Sequence, residues 1–184
     1  KCLLISDFNV NSFSGYLEND INLPRIISVV APYGQVAPIL TEENLKCWDG
    51  DYDFAIVWTQ PEKVIETFNK VLSFENFSID TLLEEVDRYS SMLMRIQNKV
   101  KIIFVPTWVL PPYKTFALLD MQSNSGLMNI LMRINLRLSE NLSLSPNFHI
   151  LNTQNWINQV GKYAFNAKAW YMAKVPFGNE VLKE

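Results

Sequence analysis

A three-layer α/β/α sandwich built on a five-stranded parallel sheet is the fold this sequence predicts, and three observations predict it. Five short apolar runs recur along the chain, several of them rich in Val and Ile, as expected of parallel strands covered on both faces. Longer stretches with helical spacing of apolar residues separate them, which calls for right-handed crossovers. The 184 residues, 48% of them apolar, suffice for one domain with a full core.

Element by element, the first strand is expected at Cys2–Ser6 and gives way to a polar turn, "SDFNVNSFSG", over 6–15. The second strand is expected at Arg25–Val30, followed by "APYGQVAP" (31–38), where Gly34 serves a turn with positive φ. Asp49-Gly-Asp51-Tyr-Asp53 leads into the third strand, Phe54–Trp58. It has acids at the first, third and fifth positions of a calcium loop but Phe54 where the glycine belongs and Gln60 in place of the closing Glu, so a solvated turn is the better reading. Thr59-Gln-Pro-Glu62 has capping-box spacing with Pro in the first turn and opens a short helix. A long helix over about 80–99 starts at a second such box, Thr81-Leu-Leu-Glu84, and carries Leu82, Leu83, Val86, Tyr89, Leu93 and Ile96 on one stripe. The fourth strand is Lys101–Val105, a helix runs from about Gly126 to Asn141, and the fifth strand is Phe148–Asn152. Pro106 to about Asn124 exceeds the ~12–15 residues usual for a structureless loop, which marks a functional cover or an insertion.

The expected strand order is 2-1-3-4-5, with sites in the crevices at the carboxyl ends of the strands. Ser6 with Asp7 at the first crevice resembles a nucleophile turn, but a serine nucleophile needs a base and a group to orient it. The single histidine, His149, opens the last strand, roughly 10 Å down the sheet from the crevices. Asp7 and Asp120 are the acids left to serve a serine, and both equally suit turn or cap positions. Cys2, Cys47 and one histidine offer no zinc set, and no phosphate-loop or dinucleotide fingerprint occurs. Trp58, Trp108, Tyr113 and Trp156 fall at or just past strand ends with Asn9, Gln35, Thr59, Gln60, Thr107, Asn152, Gln154 and Asn155. Aromatic rings with amide side chains make a floor for a sugar, a pantetheine arm or a partner's backbone, or simply cap the sheet.

A net charge of −3 speaks against nucleic acid bound through a basic face, and no apolar run reaches the ~20 residues of a membrane span. Two cysteines read as buried free thiols, and with no secretory leader in view a cytoplasmic location is expected. The start at Lys1 and the stop at "NEVLKE" read as a piece of a longer protein, and the aromatic "AWYMAKVPFGNEVLKE" (169–184) as a surface packed on a further domain or subunit.

The segments "LISDFNVNSFSGYLEN", "APYGQV", "VWTQP", "FVPTWVLPP" and above all "WYMAKVPFGNEVLKE" resemble the N-terminal domain of FkbH-like proteins, which is similar in fold to the SGNH hydrolases. The resemblance spans essentially all of 1–184 and implies a haloacid-dehalogenase-type (HAD) catalytic domain after residue 184. It implies a Mg2+ site in that domain, and loading of a phosphoglycerate-derived glyceryl unit onto an acyl carrier protein in polyketide or surface-polysaccharide biosynthesis. The "DxDxT" motif of that domain is absent here, since Asp7-Phe-Asn9-Val-Asn11 lacks the second acid and the threonine. The SGNH blocks also depart: Ile5-Ser6-Asp7 or Ser6-Asp7-Phe8 replaces Gly-Asp-Ser, Trp58-Thr59-Gln60-Pro61 replaces Gly-x-Asn-Asp, and Asn152-Thr-Gln-Asn155-Trp156 replaces Asp-x-x-His. The expectation is an accessory domain with no catalytic residues and no metal or cofactor of its own, which positions the downstream domain or docks the carrier protein. Its rivals are an esterase using Ser6 with Asp7 or Asp120, and a carbohydrate-binding module.

Overall fold

The five apolar runs form one sheet. In the computed structural model, which describes residues 1–42 and 44–184, strands β1 (Cys2–Ser6), β2 (Ser28–Val30), β3 (Phe54–Trp58), β4 (Ile102–Pro106) and β5 (Phe148–Leu151) pair in the order β2-β1-β3-β4-β5, every pair parallel. The expected fold and strand order are therefore the observed ones. Only β2 is markedly shorter than expected: Arg25–Ile27 leads in, with Ile27 O accepting from Cys2 N at 2.8 Å, and the strand itself starts at Ser28.

Because successive strand residues point to opposite faces, the sheet has two separate cores. Leu3, Ile5, Ala55, Val57, Ile103 and Val105 face one side, where α2 (Val36–Thr41), α4 (Glu66–Leu72), α5 (Ile79–Met94) and α6 (Leu127–Leu142) cover them. Cys2, Leu4, Ile56 and Trp58 face the other, covered by α1 (Asn11–Asn19), α7 (Thr153–Val160), α8 (Ala167–Ala173) and the tail after them. The helix α3 (Pro61–Val64) is a single turn leaving β3.

The helices α5 and α6 bury clean stripes: Leu82, Val86, Tyr89 and Leu93 on one, Ile130, Ile134 and Leu138 on the other. Between them Arg137 grips Asp87 as a fork, Nε to Oδ1 at 2.7 Å and Nη2 to Oδ2 at 2.8 Å, and Asn141 adds a 2.7 Å bond. The guanidinium beside it holds the Asp87 carboxyl below the ordinary carboxylate range.

Both expected capping boxes are displaced. The helix α5 is capped by Ser78, whose hydroxyl accepts from the Thr81 amide, and it ends at Met94, after which the chain tightens into turns with bonds three residues back. At α3 the N-cap is Gln60 without a side-chain bond, because the Thr59 hydroxyl is used in the interior instead. Two helices start where only polar turns were expected, α1 at Asn11 and α7 at Thr153.

The terminal segment is the largest departure. Val175, Phe177, Val181 and Leu182 are buried in the second core, and the tail is pinned by bonds from Asn9 N to Lys174 O (2.9 Å) and Gly178 N to Ala164 O (2.9 Å). Tyr171 and Met172 alone of its large apolar side chains stay exposed. What read as a face for another domain largely completes this one. Cys2 is buried as expected, whereas Cys47 is only half-buried. Among the described residues no helix is long and apolar enough to cross a membrane.

Candidate functional site

The crevice between the carboxyl ends of β1 and β3 is where the strand order reverses and where ligands of such sheets bind. Here the chain's own groups occupy it. Asp7 is 9% exposed, and both of its carboxylate oxygens accept from the Gln60 amide, at 2.9 and 3.2 Å. Burial pushes its carboxyl up to about 7; the Gln60 amide and Lys63 pull against that rise, and the charge of Glu62 adds to it. A carboxyl that titrates near neutrality is the kind of group that exchanges protons in catalysis.

Its neighbours are turned to each other. Ser6 Oγ accepts from the Phe8 amide at 3.1 Å, the local turn bond of a residue that follows a strand. The Thr59 hydroxyl, 5% exposed, bonds Tyr89 Oη at 3.0 Å and accepts from Trp108 Nε1 at 3.1 Å. Burial pushes the Tyr89 phenol above its ordinary range. Asp120 lies in the β4–α6 loop, where its Oδ1 accepts from the Phe116 amide at 2.8 Å, a turn-capping role. Among the described residues no hydrogen bond joins Ser6 to Asp7 or Asp120. His149 is exposed and pairs across the ladder with Phe104, which stands level with Ile56. That places it three strand spacings and two residues from Ser6, roughly 16 Å away.

The tryptophans do not form one rim. Trp58 and Trp108 are buried on opposite faces of the sheet, at 4% and 2% exposure. Trp58 stacks on Phe177 at 4.9 Å and meets Phe8, Phe13 and Trp156 edge-on, while Trp108 leans on Tyr89 at 5.7 Å. Side chains this size gain most by leaving water, so the sheet took two of the expected binding rings into its cores.

Four cavities open at this end among the described residues. The tightest, about 30 Å³, lies at the ends of β3 and β4 and brings together Trp58, Thr59, Gln60 and Thr107 with Tyr113 and Lys114 from the β4–α6 loop and Phe165, Trp170 and Phe177 from the C-terminal part. A second, about 290 Å³, joins Ser6 and Asn9 to Tyr33 and Lys174. A third, about 260 Å³, is apolar and lined by Trp58, Trp156, Phe13 and Leu182. A fourth, about 680 Å³, is lined by Lys114, Asp120, Gln154 and Phe165, while Gln35 and Asn152 line none of the four. Gln35, Asn152 and Gln154 are exposed at helix starts, where Gln35 and Asn152 are N-caps, and Gln154 bonds Asn158 at 2.9 Å.

Sequence reading missed Lys114, Phe165, Trp170 and Phe177 as wall residues. Lys114 is set by its ion pair to Glu62 (2.6 Å), and Phe165 meets Phe177 through an isolated antiparallel bridge. Neither contact has a local signal. Among the described residues no three His, Cys, Asp or Glu side chains group as metal ligands, so the side chains present do not fit Mg2+.

No family model matches the chain, and no curated protein matches it in sequence. Among solved structures it is similar to the crystal structure of the N-terminal part of protein BF1531 from Bacteroides fragilis, described as containing a phosphatase domain complexed with Mg. The TM-score is 0.78 at 14% identity, over 99% of this chain and 48% of that one. The chain thus spans about half the length of the protein it matches, and at that identity the likeness speaks for the fold.

Proposed function

We propose that this chain is a non-catalytic accessory domain of an FkbH-like enzyme, whose chemistry resides in a Mg2+-dependent HAD-type domain beyond residue 184. Its role is to position that domain and to dock the acyl carrier protein that receives a glyceryl unit, in the cytoplasm. The observation that carries the reading is how the polar groups beside the first crevice are engaged. Asp7 is held on the Gln60 amide, Ser6 on the Phe8 amide and Thr59 on Tyr89 and Trp108, so the polar groups of an SGNH-type site serve the fold's own interior. The fold likeness to the N-terminal part of a protein that carries a phosphatase domain supports the same assignment. Docking then falls to the rim: the exposed Tyr113, Tyr171 and Met172 and the helix starts at Asn152 and Gln154.

A phosphopantetheinylated acyl carrier protein titrated into this chain tests the docking role by calorimetry. Saturable heat in the micromolar range, lost with the apo carrier or with Tyr113→Ala, is the expected result. Heat no larger than dilution at hundreds of micromolar removes docking. Turnover of p-nitrophenyl acetate that disappears in Ser6→Ala would overturn the non-catalytic reading.

A further inference from the structure

Orphaned oxygens gather at one end of this molecule. Among the described residues four buried side-chain oxygens have no hydrogen-bond partner: Gln60 Oε1, Glu62 Oε2, Asn129 Oδ1 and Thr153 Oγ1. Gln60 and Glu62 follow β3, Thr153 follows β5, and Asn129 sits in the first turn of α6 after β4. All four therefore lie at the pole where the strands end. Buried polar atoms are nearly always paired, so each exception calls for a reason. Of the four, Gln60 lines a cavity there, so its oxygen is the one that a bound molecule would meet.

The β4–α6 loop covers this place. Its start is clamped where the Asn135 carboxamide bonds the Trp108 backbone twice, at 2.8 Å each way. Its middle is tied down by the ion pair from Lys114 Nζ to Glu62 Oε1 (2.6 Å) and by Phe116 stacked on Phe74 at 4.2 Å. Between those ties and α6, Ala117 takes a left-handed φ of 50° and Leu118 stands 95% exposed, so this part of the loop is held by few core contacts. Tyr113 and Lys114 form the outer wall of the cavity of about 30 Å³ whose floor holds Gln60 and Thr107. One water-sized group needs roughly 10–15 Å³, so this space seats the tip of a molecule, and the wider groove of about 680 Å³ that shares Pro111, Lys114 and Phe165 with it leaves room for the rest.

We infer that this crevice binds the uncharged, hydrogen-donating tip of a small molecule, a hydroxyl or an amide N–H, beneath the β4–α6 loop. A donor is required because the orphaned Gln60 carboxamide oxygen in the cavity only accepts. The tip is uncharged because Lys114 and Glu62, paired at 2.6 Å, set one charge of each sign beside it, so a charged tip of either sign meets a like charge. Thr107 Oγ1 already accepts from the Thr153 amide at 3.1 Å and keeps its own proton to give to an acceptor on the ligand. Phe165, Trp170 and Phe177 provide an apolar wall for the rest of the molecule. The inference rests on the crevice alone and not on the docking role, which could fail without it.

Two neutral probes and two charged ones test it, read by proton–nitrogen NMR of the Gln60 side-chain amide and the Trp170 indole. Ethylene glycol offers hydroxyls, N-methylacetamide an amide proton; methylammonium and acetate are the charged counterparts. Saturable shifts with at least one neutral probe at millimolar concentration are expected, weakened tenfold or more in Gln60→Leu and in Lys114→Ala. Gln60→Glu keeps an acceptor and adds a negative charge, so it shifts the preference towards methylammonium. The inference is overturned by shifts that stay linear with both neutral probes, by an equal response in Gln60→Leu, or by tighter binding of either charged probe to the unaltered protein.

Discussion

The two faces of the sheet are closed by different means. On one, α5 and α6, each sixteen residues long, lay regular apolar stripes over Leu3, Val57 and Ile103. On the other, helices of seven to nine residues leave gaps that the tail fills, and Val181 and Leu182 from the end of the chain pack with Cys2 and Leu4 from its start. The first face is assembled from contacts along and between two long helices. The second needs a loop closed across nearly the whole chain. Closure over such a length is only weakly dearer in entropy than over a short one, so the second face is attainable, but it depends on a few residues with no helix to support them.

The largest effect is expected from deleting residues 175–184. This strips Phe177 from Trp58 and reopens the second core, and loss of cooperative unfolding in urea, with loss of the near-ultraviolet tryptophan signal, is expected. A truncated chain that unfolds as cooperatively as the full one would mean that the tail is decoration. Next come paired truncations, one for each face. Phe177→Ala removes a ring that touches Trp58, Phe8 and Phe165 and should lower unfolding free energy by about 3–5 kcal/mol. Leu138→Ala, fully buried on the other face, should lower it by about 2–5 kcal/mol. If the faces fold as one unit, both shift the same transition; a second transition in Phe177→Ala alone would separate them.

Asp7 sits beside the seam of the two faces and its effect is pH-dependent. Its folded carboxyl titrates at about 7, above the ordinary 3.8, so the folded state holds the proton more tightly than the unfolded chain does. The stability it contributes is full below pH ~4, declines as pH rises towards 7 and is lost above it, a span on the order of 4 kcal/mol by linkage. Asp7→Asn removes this decline and should be the more stable protein at pH 8 and not at pH 4, as melting temperatures across pH would read. Asp7→Asn melting below the unaltered protein at pH 8 would mean that the charged carboxylate is the wanted form. The smallest effect is expected from Arg137→Ala. Its pair with Asp87 joins α5 to α6, but both side chains are more than a third exposed, so the change should cost about 1 kcal/mol or less, and less still in high salt.

The difference between the faces also explains what was readable beforehand. The strands stood out because Cys2–Ser6 and Phe54–Trp58 are unbroken apolar runs, and α5 and α6 because their stripes repeat within a few turns. The helices α1 and α7 were hidden because polar residues dominate their starts, "NSFSGY" and "TQNWIN", and neither buries a long stripe. The expected site was partly legible: Trp58, Thr59, Gln60 and Thr107 converge on one cavity as strand ends should. Its wall from Lys114, Phe165 and Phe177 was not, because those residues reach it through an ion pair and a bridge between distant segments.

Periodicity along the chain thus settles the elements and the layers they form, because backbone geometry repeats every two or 3.6 residues and burial must follow it. Where an aromatic side chain ends up is another matter. Trp58 and Trp108 stand at equivalent strand ends in the sequence, yet one fills the second core and the other the first. The tail, apolar enough to suit a partner, found its own sheet instead. Competition among distant surfaces for the same ring decides such outcomes, and that competition exists only once the chain has folded back on itself.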